Sequence, residues 1–161
     1  MNALEDIGRR IRRISGYLDE DILKTIIIKI SSRAPFTLFN LTWTIPVHIK
    51  NEVLLYLAQD KKLVGHVAEQ IIFHYENLSP ELRSLLFKLA DDKECGYNIA
   101  SVISLNYTQL PSNVRNLIFK LADNKETAKD VYELLLNNSY VNLPNEVKED
   151  LLMRIRKNKF I

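Results

Sequence analysis

The sequence predicts an all-α protein built from tandem helical hairpins, and three observations predict it. The first is self-similarity: residues 82–95 read LRSLLFKLADDKEC and residues 114–127 read VRNLIFKLADNKET, identical at nine of fourteen positions with a fixed offset of 32. Repetition at one offset inside helix-like segments marks units that cannot bury their apolar faces alone. The second is punctuation. Pro46, Pro80, Pro111 and Pro144 each stand just ahead of an apolar-periodic run, where a proline in the first helical turn costs nothing because its missing N–H would have no intrahelical partner. The third is composition: 47% hydrophobic and 26% charged residues with only four Gly and five Pro describe an ordinary globular chain with little room for linkers.

Taken in order, Leu4, Ile7, Ile11, Ile14 and Leu18 alternate in steps of three and four, a narrow apolar stripe on a helix. Arg9, Arg10, Arg12 and Arg13 lie between them. Two readings fit: a capping helix laid over the first repeat with its arginines in water, or a basic amphipathic helix for a partner or a membrane surface. Gly16 would end it as a C-cap. Asp19, Glu20 and Asp21 open a second helix through Ile22, Ile26, Ile27 and Ile30, since acids suit a helix N-terminus. The stretch from Phe36 to Ile45 fits the repeat poorly, and its Phe36, Phe39 and Trp43 read as core or, alternatively, as an exposed aromatic pocket.

From Pro46 the units are regular. The first helices carry Val53, Leu54, Leu57 and Ala58; then Leu85, Leu86, Leu89 and Ala90; then Leu117, Ile118, Leu121 and Ala122; and finally Leu151, Leu152 and Ile155. Asp60, Asp92, Asn124 and Asn158 follow, each suited to cap a second helix. The second helices, expected over 63–75, 95–107 and 127–138, match at Val67, Ile99 and Val131 and again at Ile71, Ile103 and Leu135. The organisation is one α-helical domain over 1–161: a capping helix (1–17), a degenerate repeat (18–45), regular repeats over 46–77, 78–109 and 110–142, and a terminal half-repeat (143–161) that acts as a second cap.

Leu110-Pro111-x-x-Val114-Arg115 followed by Leu121-Ala122-Asp123-x-Lys125 resembles the short HEAT-like repeats of α-solenoid proteins. The resemblance covers residues 46–161 and extends more weakly back to 18. Tetratricopeptide repeats share the period, but the Trp, Leu-Gly and Tyr pattern of their first helix is missing. The resemblance implies an α-α superhelix of about four hairpins with terminal capping helices. First helices would lie on the convex side and second helices on the concave side. It also implies a scaffold or adaptor for protein partners and, in some members, for nucleic acid.

Charge is unevenly spread. Residues 1–16 hold four basic and two acidic side chains, residues 148–161 five and two, and the body thirteen and sixteen, which excludes a uniformly basic or acidic binder. The longest apolar run, Thr25 to Ile30, is broken by Lys29 and falls well short of the roughly 20 residues that span a bilayer. The arginines near the N-terminus have no apolar stretch after them, which speaks against a signal peptide. A single cysteine, Cys95, fits a reducing compartment, so the expected location is cytoplasmic. Cys95 reads as a small buried residue, with a thiol activated by a helix N-terminus as the other reading.

No catalytic signature stands out, and the chain is expected to be no enzyme and to need no cofactor. The histidines are His48, His66 and His74; the last two, eight residues apart on one helix, would be about 12 Å apart at about 1.5 Å per residue, too far to share a metal. A glycine-rich phosphate loop and a helical His-Glu-x-x-His are missing as well.

Two ladders follow from the register. On the second helices Phe73, Val102, Leu105 and Leu134 form an apolar strip flanked by Gln70, His66, Asn98 and Asp130. Open, it is a groove for a protein partner of unknown identity; the other reading buries it between stacked helices. On the first helices Lys88, Lys120 and Arg154 form a basic row that, with Arg9, Arg10, Arg12 and Arg13, offers an alternative nucleic-acid surface. The neighbouring Asp91, Asp92 and Asp123 favour local ion pairs instead.

Overall fold

The computed structural model describes residues 10–11, 13–37, 42, 45–137 and 142–158, with Phe36 by its backbone alone. The expectations placed on Leu4, Ile7, Phe39 and Trp43, on the side chain of Phe36, and on Arg9 and Arg12 lie outside these residues. The protein is all-helical, with no strand among the described residues. Among the described residues its α-helices include α1 (Glu20–Arg33), α2 (Val47–Leu57), α3 (Val64–His74), α4 (Pro80–Leu89), α5 (Gly96–Asn106), α6 (Ser112–Arg115), α7 (Leu117–Asp123), α8 (Ala128–Leu136) and α9 (Asn145–Lys157). The contacts divide the chain into two compact units, Met1–Arg83 and Ser84–Ile161, with the division inside α4.

The first helix of each regular unit starts at a proline. Pro46, Pro111 and Pro144 hold φ between −57° and −54° and ψ between 147° and 149°. They sit one residue ahead of the first turn expected from sequence, as N-caps; Pro80 alone opens its helix. At the N-cap the proline carbonyl accepts the first helical bond, from the N–H of Lys50, Arg115 and Lys148 at 2.9, 3.0 and 3.1 Å, and the fixed φ preorganises the entry.

The turn into each second helix is built three times alike. Oδ1 of Asp60, Asp92 and Asn124 accepts from the N–H of Lys62, Glu94 and Glu126 at 2.9, 3.0 and 2.9 Å. The carbonyls of the same three residues accept from Leu63, Cys95 and Thr127. The caps therefore organise the short turn that feeds the helix, because the helix proper starts four residues later. Asn158 departs from its expected role: it closes α9, and its Nδ2 donates to the Ala122 carbonyl at 2.8 Å.

In Met1–Arg83, α1 packs on α2 and α2 on α3. Asp19 caps α1 by accepting from the Asp21 N–H at 2.9 Å. The buried stripe of α1 is Leu23, Ile27 and Ser31, four apart, while Ile22 is 52% exposed; the run of isoleucines had suggested a face rotated by one residue. Lys24 bonds Glu52 at 2.7 Å and Asp21 at 2.9 Å, and His48 bonds Glu20 at 2.9 Å, tying α1 to α2. Residues 15–17 form a turn, and Gly16 has no left-handed backbone, so it is not the expected C-cap.

In Ser84–Ile161, α7 packs on α5, α8 and α9, and α8 packs on α5, α7 and α9. Leu117, Ile118, Leu121 and Ala122 of α7 and Ile99, Ile103 and Val131 of α5 and α8 are all at most 3% exposed, each large apolar side chain contributing about 1.5–3 kcal/mol when fully buried. Close approach of α8 to α5 requires Gly96. A Cβ there would stand 2.6 Å from Asp130 Oδ2, 2.8 Å from Thr127 Cγ2 and 3.0 Å from Thr127 Cβ. Thr127 is fully buried and donates to the Leu121 carbonyl at 2.8 Å, so it has no room to yield. Gly96→Ala should lower stability by about 1–3 kcal/mol in denaturant titration, despite alanine's better helix propensity. Gly16→Ala meets nothing within 4 Å and should leave stability unchanged or slightly raised.

Candidate functional site

The exposed edge of the first helices is a row of inter-helix latches. Lys120 reaches the C-terminal end of α4, contacting Asp91 at 2.7 Å and the Phe87 carbonyl at 3.3 Å. Arg154 does the same at the end of α7, contacting Asp123 at 2.7 Å, with Asp150 of its own helix at 3.1 Å. A cation suits a helix C-terminus, where carbonyls lack partners. Two thirds of the expected basic ladder is thus committed to carboxylates. Lys88 is exposed, and the position equivalent to Asp91 and Asp123 one unit earlier is Gln59. Arg10 and Arg13 are exposed. Stacking of guanidinium on tyrosine also repeats at 32, Arg83 over Tyr75 at 5.9 Å and Arg115 over Tyr107 at 5.4 Å.

The apolar strip expected on the second helices is not an open surface. Val102 and Leu134 are each 5% exposed, on helices α5 and α8 that pack against each other. Leu105 remains 40% exposed near the end of α5, where Asn142 Nδ2 donates to its carbonyl at 3.2 Å. Phe73, on α3 in the other unit, is half-buried. Of the flanking residues Asn98, Asp130 and His66 are half-buried and Gln70 is buried. Burial, then the neighbouring Glu133, raises the Asp130 carboxyl above its ordinary range. What stays accessible on this side of Ser84–Ile161 is Tyr97, 48% exposed, and Leu105, with Asn98 and Asp130 partly open.

A buried polar group inside Met1–Arg83 went unrecognised in the sequence. Lys50 and His74 are each 6% exposed, and Lys50 Nζ lies 3.3 Å from His74 Nδ1. An ammonium or amine donating to Nδ1 places the ring proton on Nε2. One turn earlier on α3, Gln70 accepts from the Thr42 hydroxyl at 2.7 Å, and both are buried. Burial lowers the Lys50 pKa; burial and then the Lys50 charge push His74 down to about 4. The signal was available: at the 32-residue offset Lys50 corresponds to Leu82 and Val114, both fully buried, and Gln70 to Val102 and Leu134. A lysine at a core position of a repeat is the irregularity that marks this cluster.

Other chemistry is limited. Cys95 is fully buried, and burial, followed by Asp92 and Glu94, pushes its thiol up to about 12, so it carries no thiolate near neutrality. Among the described residues no group of His, Cys, Asp and Glu is placed to hold a metal ion, and no helix is long and apolar enough to cross a membrane. An open cleft of about 230 Å³ in Met1–Arg83 is lined by Ser32, Tyr56, Leu57, Gln59, Asp60 and Leu63, but Asp60 is already engaged by its turn. Comparison of the chain with protein-family models, with curated proteins and with solved structures finds no match.

Two outcomes test these placements. Leu134→Asp should destabilise by several kcal/mol, about 3 or more, through an unpaired buried charge, while Leu105→Asp should shift stability by about 0.5 kcal/mol or less; thermal melts of the two variants check it. Lys50→Met combined with His74→Leu removes both partners of the buried contact, and should raise the melting temperature at neutral pH, as replacement of a buried polar pair by apolar groups does.

Proposed function

We propose that this chain is a non-catalytic protein-binding module of the HEAT-like α-solenoid kind, presenting the second helices of its repeats to a protein partner in the cytoplasm. One observation carries the reading: the frame repeats while the face varies. At the frame positions, Val67, Ile99 and Val131 and then Ile71, Ile103 and Leu135 keep one apolar character and are buried. At the face positions the residues change from unit to unit: Gly65, Tyr97 and Lys129; His66, Asn98 and Asp130; Phe73, Leu105 and Asn137. Uniform scaffold positions beside divergent surface positions are what a repeat protein needs to read a partner that is not itself repetitive. The burial of Val102 and Leu134 narrows the contact set within Ser84–Ile161 to Tyr97, Leu105, Asn98 and Asp130 on α5 and α8. The single cysteine supports the reducing compartment.

The rival nucleic-acid reading draws less support, because Lys120 and Arg154 spend their charge on Asp91, Asp123 and Asp150. The experiment is affinity capture from native lysate with and without nuclease, run in parallel with Leu105→Asp and a Tyr97→Ala variant of unchanged melting temperature. The expected result is one stoichiometric protein that survives nuclease and is lost or weakened at least tenfold, about 1.4 kcal/mol, with the surface variants. Loss of all partners on nuclease treatment would transfer the function to the basic residues. Retention that the variants do not alter would remove the face from the reading.

A further inference from the structure

The two compact units differ in one chemical respect that the repeat does not require. All three histidines, His48, His66 and His74, fall in Met1–Arg83, and Ser84–Ile161 has none. Of the three, His74 is buried, in contact with a second buried basic side chain contributed by the adjacent helix. His48 is exposed and sits beside Glu20, and His66 sits beside Glu69 at 3.5 Å, so each has a carboxylate for its neighbour. His74 faces the opposite chemistry.

We propose that Lys50 and His74 form an acid-operated release, in which protonation of His74 places two cations 3.3 Å apart inside Met1–Arg83 and frees α3 from α2 while Ser84–Ile161 stays folded. Like charges that close in a buried site repel strongly and are poorly screened by salt. Among the described residues, the charged groups on the surrounding elements are engaged elsewhere or exposed. From α2 comes Lys50 itself; Glu52 is held by Lys24 of α1, and His48 by Glu20 of the same helix. From α4 comes Arg83, stacked on Tyr75, the residue next to His74. On α3 itself the other ionisable groups are His66 and Glu69, which contact each other, and Glu76 on the one-turn helix that follows is exposed. Thr42 and Gln70 are buried one turn away and do not titrate, and the sequence of residues 36–45 contains no ionisable side chain.

The sign follows from proton counting. With a folded-state value of about 4 against an ordinary 6.5, His74 binds fewer protons in the closed form than in the open one throughout that interval. Closed-form stability is therefore complete above 6.5 and is lost as pH falls toward 4. Asp130 acts in the reverse direction in Ser84–Ile161: its raised pKa means that the folded form binds the extra proton, and mild acid adds to its stability. Freeing α3 exposes Val67, Ala68, Ile71 and Ile72, each at most 1% exposed in the closed form. Acid would thus turn a core face into an adhesive one.

The test is hydrogen exchange on the full chain from pH 7 to pH 5, expressed as protection factors so that the intrinsic pH dependence of exchange cancels, with the His74 ring followed by NMR. The opening constant of α3 should rise about twentyfold across this range, while α5 and α8 keep their protection. His74→Asn, which restores the residue found at the equivalent Asn106, should abolish the rise. Lys50→Leu, which restores the equivalent Leu82, should reduce it and move the His74 titration back toward 6.5. If His74→Asn alone does not fold, the double variant Lys50→Leu with His74→Asn supplies the pH-insensitive reference. The proposal is overturned if His74 titrates near 6.5 in the folded wild-type chain. Equal loss of protection in α3 and α5, or a twentyfold rise that persists in the double variant, overturns it as well.

Discussion

A two-helix unit of this chain is apolar on more faces than its own two helices can cover, and that shortage of cover is the constraint on which the rest of the structure depends. In α7, Leu117, Ile118, Leu121 and Ala122 form one broad apolar face, about 140° wide at about 100° per residue, and none is more than 3% exposed. They are hidden because α5, α8 and α9 all pack on it. Burial of this kind is non-directional and sums over many side chains, so it sets the order of stacking. The polar contacts then tune it. Lys120 and Arg154 close on the C-terminal ends of the preceding first helices, but these pairs are largely open to solvent, and each contributes at most about 1 kcal/mol. Their value lies in placing one helix end against the next.

Stacking at close range also explains where the sequence departs from its own repeat. Gly96 occupies the position held by Val64 and Ala128 in the other units, and its missing side chain is what lets Thr127 and Asp130 approach. In Met1–Arg83 the departures run the other way. Lys50 and Gln70 occupy positions that are apolar in the later repeats, and each finds a hydrogen-bond partner in the interior, His74 and Thr42. Burying an amine and a carboxamide costs stability that leucine and valine would have supplied. Sensitivity to protonation is the property that we propose Lys50 and His74 confer on this unit.

Much of the fold was legible because its signals are local. The 32-residue offset, the prolines, the Asx residues at the turns and the 3.6-residue periodicity all act within a few residues of where they stand. The second helices accordingly begin and end within about two residues of expectation, inside the usual boundary uncertainty. The failures are equally instructive. A run of isoleucines from 26 to 28 is apolar on every side, so periodicity could not say which face of α1 turns inward, and Leu23 with Ile27 and Ser31 does so. The candidate strip failed for a related reason. Val102 and Leu134 occupy equivalent places on α5 and α8, and register alone cannot tell whether two equivalent apolar residues line an open groove or meet across a packed interface.

By itself, then, the sequence determined that the chain is helical, where the turns between its helices fall and which positions correspond at the 32-residue offset, since backbone preferences, caps and amphipathic spacing are carried by neighbouring residues. Only the tertiary structure decided which apolar faces are spent on one another, which lysines and arginines are already paired, and that Lys50 meets His74 across two helices. Those outcomes depend on distances between residues 24 or more positions apart, and such distances are set by how whole helices pack rather than by any stretch of chain.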